Sequence, residues 1–210
     1  MNKIQLRALQ AGATPDQAMQ FETRHQVRAF QVGISIEEAL QFETWTQVQA
    51  LQSVETVAQA LQFTNYYQLE ALILRLSSEQ ALQFSNDHQL EALTLGAPLK
   101  KALQFYNKHQ IKALQAAIPI GQALQFSNDH QLRALRAGTT IEESLRFDNW
   151  HQVSSLASEI TVGQALQFEC WPQVRALRAG ATFEEALAIV DNKQVEIQGG
   201  CADLNDALSG

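Results

Sequence analysis

Apolar residues along the chain fall into two short clusters separated by polar positions, and this arrangement recurs throughout. One cluster lies in I-E-E-A-L-Q-F at 36–42, and the next lies in V-Q-A-L at 48–51. The three- and four-residue spacing indicates helices, and both segments are rich in the strong helix formers Ala, Leu, Gln and Glu. Strands would instead show alternating apolar and polar residues and be rich in β-branched residues. The pattern predicts two short helices of roughly two turns each per repeat.

Phenylalanine marks the repeat, because it returns every 21 residues at Phe21, Phe42, Phe63, Phe84, Phe105, Phe126, Phe147 and Phe168, with Ile189 in the ninth place. Full units start at residues 13, 34, 55, 76, 97, 118, 139, 160 and 181, and half-units occupy 1–12 and 202–210. Helix-turn-helix repetition predicts an all-α fold, an α-solenoid of about ten 21-residue units forming a single domain over 1–210. A leucine-rich-repeat solenoid has a similar period, but its L-x-x-L-x-L-x-x-N strand motif is missing.

Capping patterns mark the start of both helices. Ser or Thr with Glu or Gln three residues later precedes most first helices: Thr14/Gln17, Ser35/Glu38, Thr56/Gln59, Ser77/Gln80, Thr140/Glu143, Thr161/Gln164 and Thr182/Glu185. Pro98 and Pro119 replace the cap in two units. Second helices follow the same rule with Thr23/Gln26, Thr44/Gln47, Asn65/Gln68, Asn86/Gln89, Asn107/Gln110, Asn128/Gln131, Asn149/Gln152 and Asp191/Gln194. The recurring Gln is therefore interpreted as a cap rather than as a recognition ladder.

Helices of this length are unstable alone, so neighbouring units must cover their apolar faces. Phe, placed at the end of the first helix, is expected to build a continuous core between stacked hairpins together with Ala and Leu. Glycine is expected to end second helices in a left-handed conformation at Gly12, Gly33, Gly96, Gly138 and Gly180. Repetition of Ala indicates close helix approach at Ala39, Ala60, Ala81, Ala102, Ala50, Ala71, Ala92 and Ala113.

Positions that vary between units are the candidates for recognition. The column that opens the second helix contains Trp45, Tyr66, Trp150 and Trp171, with Tyr67 beside it. Exposed aromatic residues would mark a protein-binding ridge. The alternative, that they pack laterally over the adjacent hairpin, stays equally open.

Basic residues form a second candidate site. Arg133 and Arg136 repeat two units later as Arg175 and Arg178. This patch is interpreted as binding an acidic partner or as a solvated surface. An array that reads nucleic acid is the alternative, but Glu and Ser residues elsewhere in the same column argue against one base per repeat.

All five histidines, His25, His88, His109, His130 and His151, share one column. Stacked hairpins are about 10 Å apart, whereas zinc ligands lie about 2 Å from the ion, so a metal site is not expected. Cys170 and Cys201 occupy unrelated positions. The sequence contains no phosphate-binding glycine loop, nucleophile elbow or H-E-x-x-H motif. A non-enzymatic protein without a cofactor is predicted.

Composition and charge narrow the functional class further. The chain is 46% hydrophobic and 18% charged, with a net charge of -7. This balance is typical of an ordered, soluble protein and disfavours general binding to nucleic acid or to anionic membranes. No apolar run is long enough to span a membrane, and the N-terminus lacks the pattern of a signal peptide. A cytoplasmic location is expected.

At the level of T-I-E-E-A-L-Q-F and N-x-H-Q-L-x-A-L-x-x-G, the chain resembles the short tandem helical-repeat proteins among secreted effectors of intracellular, Legionella-like bacteria. The resemblance implies translocation into a host cell without a classical signal peptide and a host protein as partner. Apart from it, the sequence predicts a protein-interaction scaffold. A monomer is expected, although the half-units at the two ends would also permit a ring or a head-to-tail assembly.

Overall fold

A computed structural model describes residues 1–54 and 56–189 of the chain. Within these residues all regular structure is helical, and no strand is present. The predicted half-unit 202–210, the predicted cap at Asp191 and Cys201 lie outside the described residues. The all-α helical repeat is thus confirmed for the described part of the chain, while the continuous solenoid of 21-residue units stays a prediction.

First and second helices alternate along the chain. The first helices are α2 (Pro15–Ala18), α4 (Ile36–Ala39), α6 (Val57–Ala60), α8 (Ser78–Ala81), α10 (Leu99–Ala102), α12 (Ile120–Ala123), α14 (Ile141–Ser144), α16 (Val162–Ala165) and α18 (Phe183–Leu187). The second helices are α1 (Lys3–Gln10), α3 (Arg24–Gln31), α5 (Trp45–Ala50), α7 (Tyr66–Ile73), α9 (Asp87–Thr94), α11 (Lys108–Gln115), α13 (Asp129–Arg136), α15 (Trp150–Ser155) and α17 (Trp171–Arg178). A 3-10 turn, Leu156–Ser158, follows α15.

The chain divides into two compact units, one spanning Met1–Tyr106 and the other beginning at Asn107. In each unit, first and second helices pack as hairpins and successive second helices pack side by side. The single domain over 1–210 stays a prediction.

Phenylalanine occupies the core, as predicted. The eight repeated Phe side chains are at most 1% exposed, and the repeated alanines of both helices are fully buried. The position of Phe differs from the prediction, however, because the first helices are one turn long rather than two. Phe42 lies past the end of α4, in the connector to α5, and its amide donates to Ala39.

The early end of the first helix has a cause in the preceding repeat. The carbonyl of Leu40, the C-cap of α4, accepts a hydrogen bond at 2.9 Å from Nε2 of Gln26, which belongs to the preceding second helix. A side chain from the neighbouring repeat therefore satisfies a carbonyl that a longer helix would have satisfied itself.

Gln26 also performs the predicted capping role. Its Oε1 accepts from the backbone amides of Glu22 at 2.8 Å and Thr23 at 3.0 Å. The backbone amide of Gln26 donates in turn to the hydroxyl oxygen of Thr23. The side chain is buried, so the alternative of a recognition ladder is wrong for this column. One amide group thus joins the start of a second helix to the end of the next first helix.

The same bridge recurs along both compact units. The donors and acceptors of the Nε2–carbonyl bonds are Gln47–Leu61, Gln68–Leu82, Gln89–Leu103, Gln110–Leu124, Gln131–Leu145, Gln152–Leu166 and Gln173–Leu187, at 2.7–3.3 Å. Asn at the cap adds another bridge, because Nδ2 of Asn128 donates to the carbonyl of Phe147 at 3.2 Å. The predicted capping boxes of the first helices are all present in the described residues, and Pro98 and Pro119 stand at cap positions without a side-chain bond.

Replacing Gln131 with Glu is expected to lower the free energy of unfolding by about 1–3 kcal/mol, because a carboxylate cannot donate to the part-buried Leu145 carbonyl. Urea denaturation followed by circular dichroism measures the change. The matched control is Gln164→Glu, since Gln164 caps a first helix only through its acceptor oxygen and Glu143 fills the equivalent position naturally. Equal effects of the two substitutions would contradict a bridging role.

The predicted left-handed glycines are confirmed, with φ between 91° and 103°. Replacing Gly138 with Ala is expected to cost about 1 kcal/mol, because φ is 98° there and no atom would clash with the new Cβ. Gly163→Ala, in the turn of α16 with an ordinary φ and equally open space, should instead stabilise by about 0.5–1 kcal/mol. Thermal unfolding of both variants provides the measurement, and shifts of the same sign would count against this explanation.

Candidate functional site

The aromatic column lies at the first position of the second helices. Trp45 is 49% exposed, Tyr66 62%, Trp150 38% and Trp171 40%. Each Trp therefore has one part packed on the protein and another part in solvent. The lateral packing expected from the sequence is therefore present, and the rings remain part-exposed. The protein-binding ridge stays a prediction.

The packing follows a fixed register between consecutive second helices. The first residue of one helix lies over the second and fifth residues of the helix before it. Trp150 shows this arrangement clearly, with its ring 6.4 Å from the His130 ring and 4.6 Å from the guanidinium carbon of Arg133. The latter distance is that of a cation–π contact.

Asp129 occupies the same position on α13. Its Oδ1 lies 2.9 Å from Nζ of Lys112 and 3.2 Å from Nδ1 of His109, which are the fifth and second residues of α11. The approach of His109 has the distance of an ion pair without the direction of a hydrogen bond. Hydrogen bonding to Lys112, above all, holds the pKa of Asp129 below its ordinary value. Either an aromatic ring or a carboxylate can thus fill the register.

Trp171 departs from this arrangement in one respect. Its ring meets His151 edge-on at 5.6 Å, but the fifth residue of α15 is Ser154, which has no cation to offer. Arg178 of the same helix lies 5.7 Å from the Trp171 ring instead, and its Nη2 donates to the Ser154 carbonyl at 3.0 Å. Trp150 and Trp171, the two Trp residues of the unit beginning at Asn107, are consequently each in contact with an arginine.

The histidine column provides the surface on which these rings pack. His25 lies 6.4 Å from the ring of Trp45, as His130 does from Trp150. In the described residues, no group of three or more His, Cys, Asp or Glu is arranged to hold a metal ion.

Tyr66 and Tyr67 have different surroundings. Tyr66 is exposed and hydrogen-bonds the carboxylate of Glu70, which raises the pKa of its phenol. Tyr67 is half-buried, meets Tyr66 edge-on at 6.3 Å and packs against the core. Tyr67 therefore serves mainly as a support for its neighbour.

Of the four predicted arginines, two join the tryptophans directly. Arg133 and Arg178 form the ring contacts described above, and Arg175 lines a shallow surface cavity of about 370 Å³ with Trp171. Arg136 is exposed in the last turn of α13 and stands apart from both ring contacts. We call the exposed residues at the first, fifth and eighth positions of the second helices the second-helix face.

Charge on this face differs from that of the chain as a whole. In the unit beginning at Asn107, helices α13, α15 and α17 carry all four predicted arginines and one carboxylate, Asp129. The acidic pairs Glu142–Glu143 and Glu184–Glu185 lie on first helices instead. The second-helix face of these helices is therefore cationic although the net charge of the chain is -7.

One group of residues was missed by the sequence analysis. A surface groove of about 390 Å³ in the unit Met1–Tyr106 is lined by residues that include Arg7, Arg24, Arg28 and Trp45. Arg7 and Arg28 stand whole repeats before Arg133 in the same column, so continuing the column to the first unit would have found them.

Comparisons with protein-family models, with curated proteins and with solved structures returned no match. The resemblance to bacterial effectors accordingly stays a prediction. Across the part of the chain that the structure describes, no helix has both the length and the apolar character needed to cross a membrane.

Replacing Lys112 with Met is expected to raise the pKa of Asp129 toward the ordinary value of an aspartate, because the hydrogen bond from Lys112 is the main cause of its lowering. A carbon-13 NMR titration of the carboxyl group measures it. In the wild-type protein, the lowered pKa stabilises the folded state above the ordinary pKa, and this contribution disappears as the pH falls through the lowered one.

Glu143 is the internal control for this titration. Glu143 lies in α14, whereas Asp129 lies in α13. The pKa of Glu143 is lowered by hydrogen bonds from the backbone and hydroxyl of Thr140, so the Lys112→Met substitution should not change it. An unaltered Asp129 titration in the Lys112→Met protein would show that the ion pair is absent in solution.

Proposed function

We propose that the protein is a non-catalytic binding protein whose second-helix face captures an acidic segment of a partner protein. The observation that carries the proposal is the pair Trp150 and Trp171, both part-exposed and both held in place by an arginine. Tryptophan and arginine are the residue types that dominate binding energy in protein interfaces.

Orientation of the rings before binding favours affinity. The Trp150 ring contacts His130 and Arg133, and the Trp171 ring contacts His151 and Arg178. Less side-chain entropy is then lost when a partner covers them. The packing contacts therefore support binding rather than argue against it.

Charge indicates the chemistry of the partner. Helices α13 and α17 together carry four arginines and a single carboxylate, which favours an acidic partner and speeds its association. The resemblance to secreted bacterial effectors would make that partner a host protein.

Single-stranded nucleic acid is the competing partner, because bases stack on tryptophan and phosphates pair with arginine. Helices α7 and α9 of the unit Met1–Tyr106 oppose it, since they carry Glu70, Asp87 and Glu91. A polyanion that followed the repeats would meet these carboxylates. A protein segment needs only the cationic part of the face.

Selection from a peptide-display library, followed by measurement of the Kd of individual peptides, tests the proposal. Enriched peptides are expected to be acidic, and the double substitution Trp150→Ala/Trp171→Ala should weaken their binding by at least about tenfold. Circular dichroism and urea denaturation should show that the double variant stays folded, because neither ring belongs to the buried core.

Tyr106→Ala is the matched control, since Tyr106 is 66% exposed but lies in a connector outside the second helices. It should leave the Kd unchanged. Equal binding by the double variant and the wild type would refute the assigned face. Tighter, strongly salt-dependent binding of a single-stranded oligonucleotide would favour the nucleic-acid alternative, and light scattering that shows concentration-dependent growth without a peptide would favour self-assembly.

A further inference from the structure

The arginine groove of the unit Met1–Tyr106 lies between α1, α3 and the start of α5. Arg7, Arg24 and Arg28 line it together with Ile4, Val27 and Trp45. Among the described residues, none of those lining the groove is acidic, and neither Arg7 nor Arg24 takes part in an ion pair. Lys3 joins Arg7 and Arg24 in lining an adjacent cavity of about 370 Å³.

The repeat register shows why this grouping is unusual. Arg24 is the first residue of α3, and Arg7 is the fifth residue of α1. The corresponding pair on α13 and α11 is Asp129 and Lys112, which form an ion pair at 2.9 Å. Where one pair of helices has opposite charges, α1 and α3 present two cations to each other.

Another like-charged pair, Glu70 and Asp87, stands at the same register but is satisfied locally. Glu70 is hydrogen-bonded by Tyr66, and Asp87 accepts from the amide of His88 at 3.0 Å. Among the described residues, no comparable acceptor contacts the guanidinium group of Arg7 or Arg24. An external anion between them would remove the repulsion.

Trp45 and Arg28 extend the groove beyond these two cations. Trp45 is the first residue of α5 and packs against His25. Arg28 is the fifth residue of α3, and the fifth residue of α13, Arg133, stacks on Trp150. Arg28 instead donates to Gln31 Oε1 at 3.2 Å and lines the groove. An aromatic wall thus remains beside the cations.

We propose that this groove is a second binding site, in which an oxyanion on a protein segment, carboxylate or phosphate, bridges Arg7 and Arg24 while the adjoining residues of the segment lie on Trp45. Guanidinium groups bind carboxylate and phosphate in a bidentate manner. A groove of about 390 Å³ accommodates a few side chains rather than a folded domain. The choice of a protein segment as the occupant rests on the proposed function.

Arg24→Asp separates binding from folding. It places a carboxylate opposite Arg7, as Asp129 stands opposite Lys112, so the thermal unfolding midpoint should stay the same or rise. Affinity for a fluorescein-labelled hexaglutamate peptide, and for a peptide in which phosphoserine replaces one Glu, should fall by at least about tenfold. Comparison of the two peptides distinguishes a carboxylate from a phosphate ligand.

Lys100→Asp is the control, because it makes the same change in net charge on the exposed surface of α10, away from the groove. It should alter the affinity much less than Arg24→Asp does. Equal weakening by both variants would show a general charge effect and overturn the site, as would the absence of binding of either peptide to the wild type.

Four further outcomes also decide the question. A protein segment would be ruled out as the occupant if inorganic phosphate bound while neither peptide did. It would also be ruled out if an oligothymidine bound more tightly than both peptides. Loss of peptide binding in Arg24→Asp, but not in Trp150→Ala/Trp171→Ala, would support the groove and count against the face in the other unit. Loss of binding in Trp150→Ala/Trp171→Ala, but not in Arg24→Asp, would overturn the groove as a binding site and support the proposed function.

Discussion

The buried glutamine amide in the first turn of the second helices from α3 to α17 is the interaction on which the rest of the described structure depends. Gln26 uses its oxygen to satisfy amides at the start of its own helix and its nitrogen to satisfy the Leu40 carbonyl of the next repeat. A one-turn helix such as α4 has almost no stability of its own. The bridge and the buried Phe42 together compensate, one by satisfying backbone groups and the other by removing apolar surface from water.

Because the glutamine bridge and the buried Phe stabilise the fold, the surface positions of the second helices can vary between repeats. The contacts that recur between repeats use Gln, Phe, Ala and backbone groups, so the first and fifth positions of the second helices contribute little to them. The same register is consequently filled by Trp150 on Arg133 in one place and by Asp129 on Lys112 in another. Such interchange on a constant scaffold is how a repeat protein acquires a binding surface without altering its fold.

Much of the fold could be predicted from sequence, because its determinants are local. Capping residues such as Thr14 and left-handed glycines such as Gly138 act within a few residues of their own position. The length of the first helix could not be predicted in this way, since Leu40 is capped by a side chain 14 residues before it in the chain. The candidate site was only partly predictable for the same reason. Trp150 and Trp171 could be singled out as variable positions, but their arginine partners could not. Trp150 contacts an arginine of the preceding second helix, α13, whereas Trp171 contacts an arginine of its own helix.

The sequence by itself determined the helical repeat, its caps and the buried role of phenylalanine, because each depends on spacing and local propensity that recur from unit to unit. Only the tertiary structure decided which side chains meet across repeats. Arg7 and Arg24 are 17 residues apart, and nothing in the local pattern distinguishes that pair from Lys112 and Asp129 until consecutive second helices are packed side by side. Charge complementarity and its absence are properties of that packing, since electrostatic interactions depend on distance in space rather than along the chain.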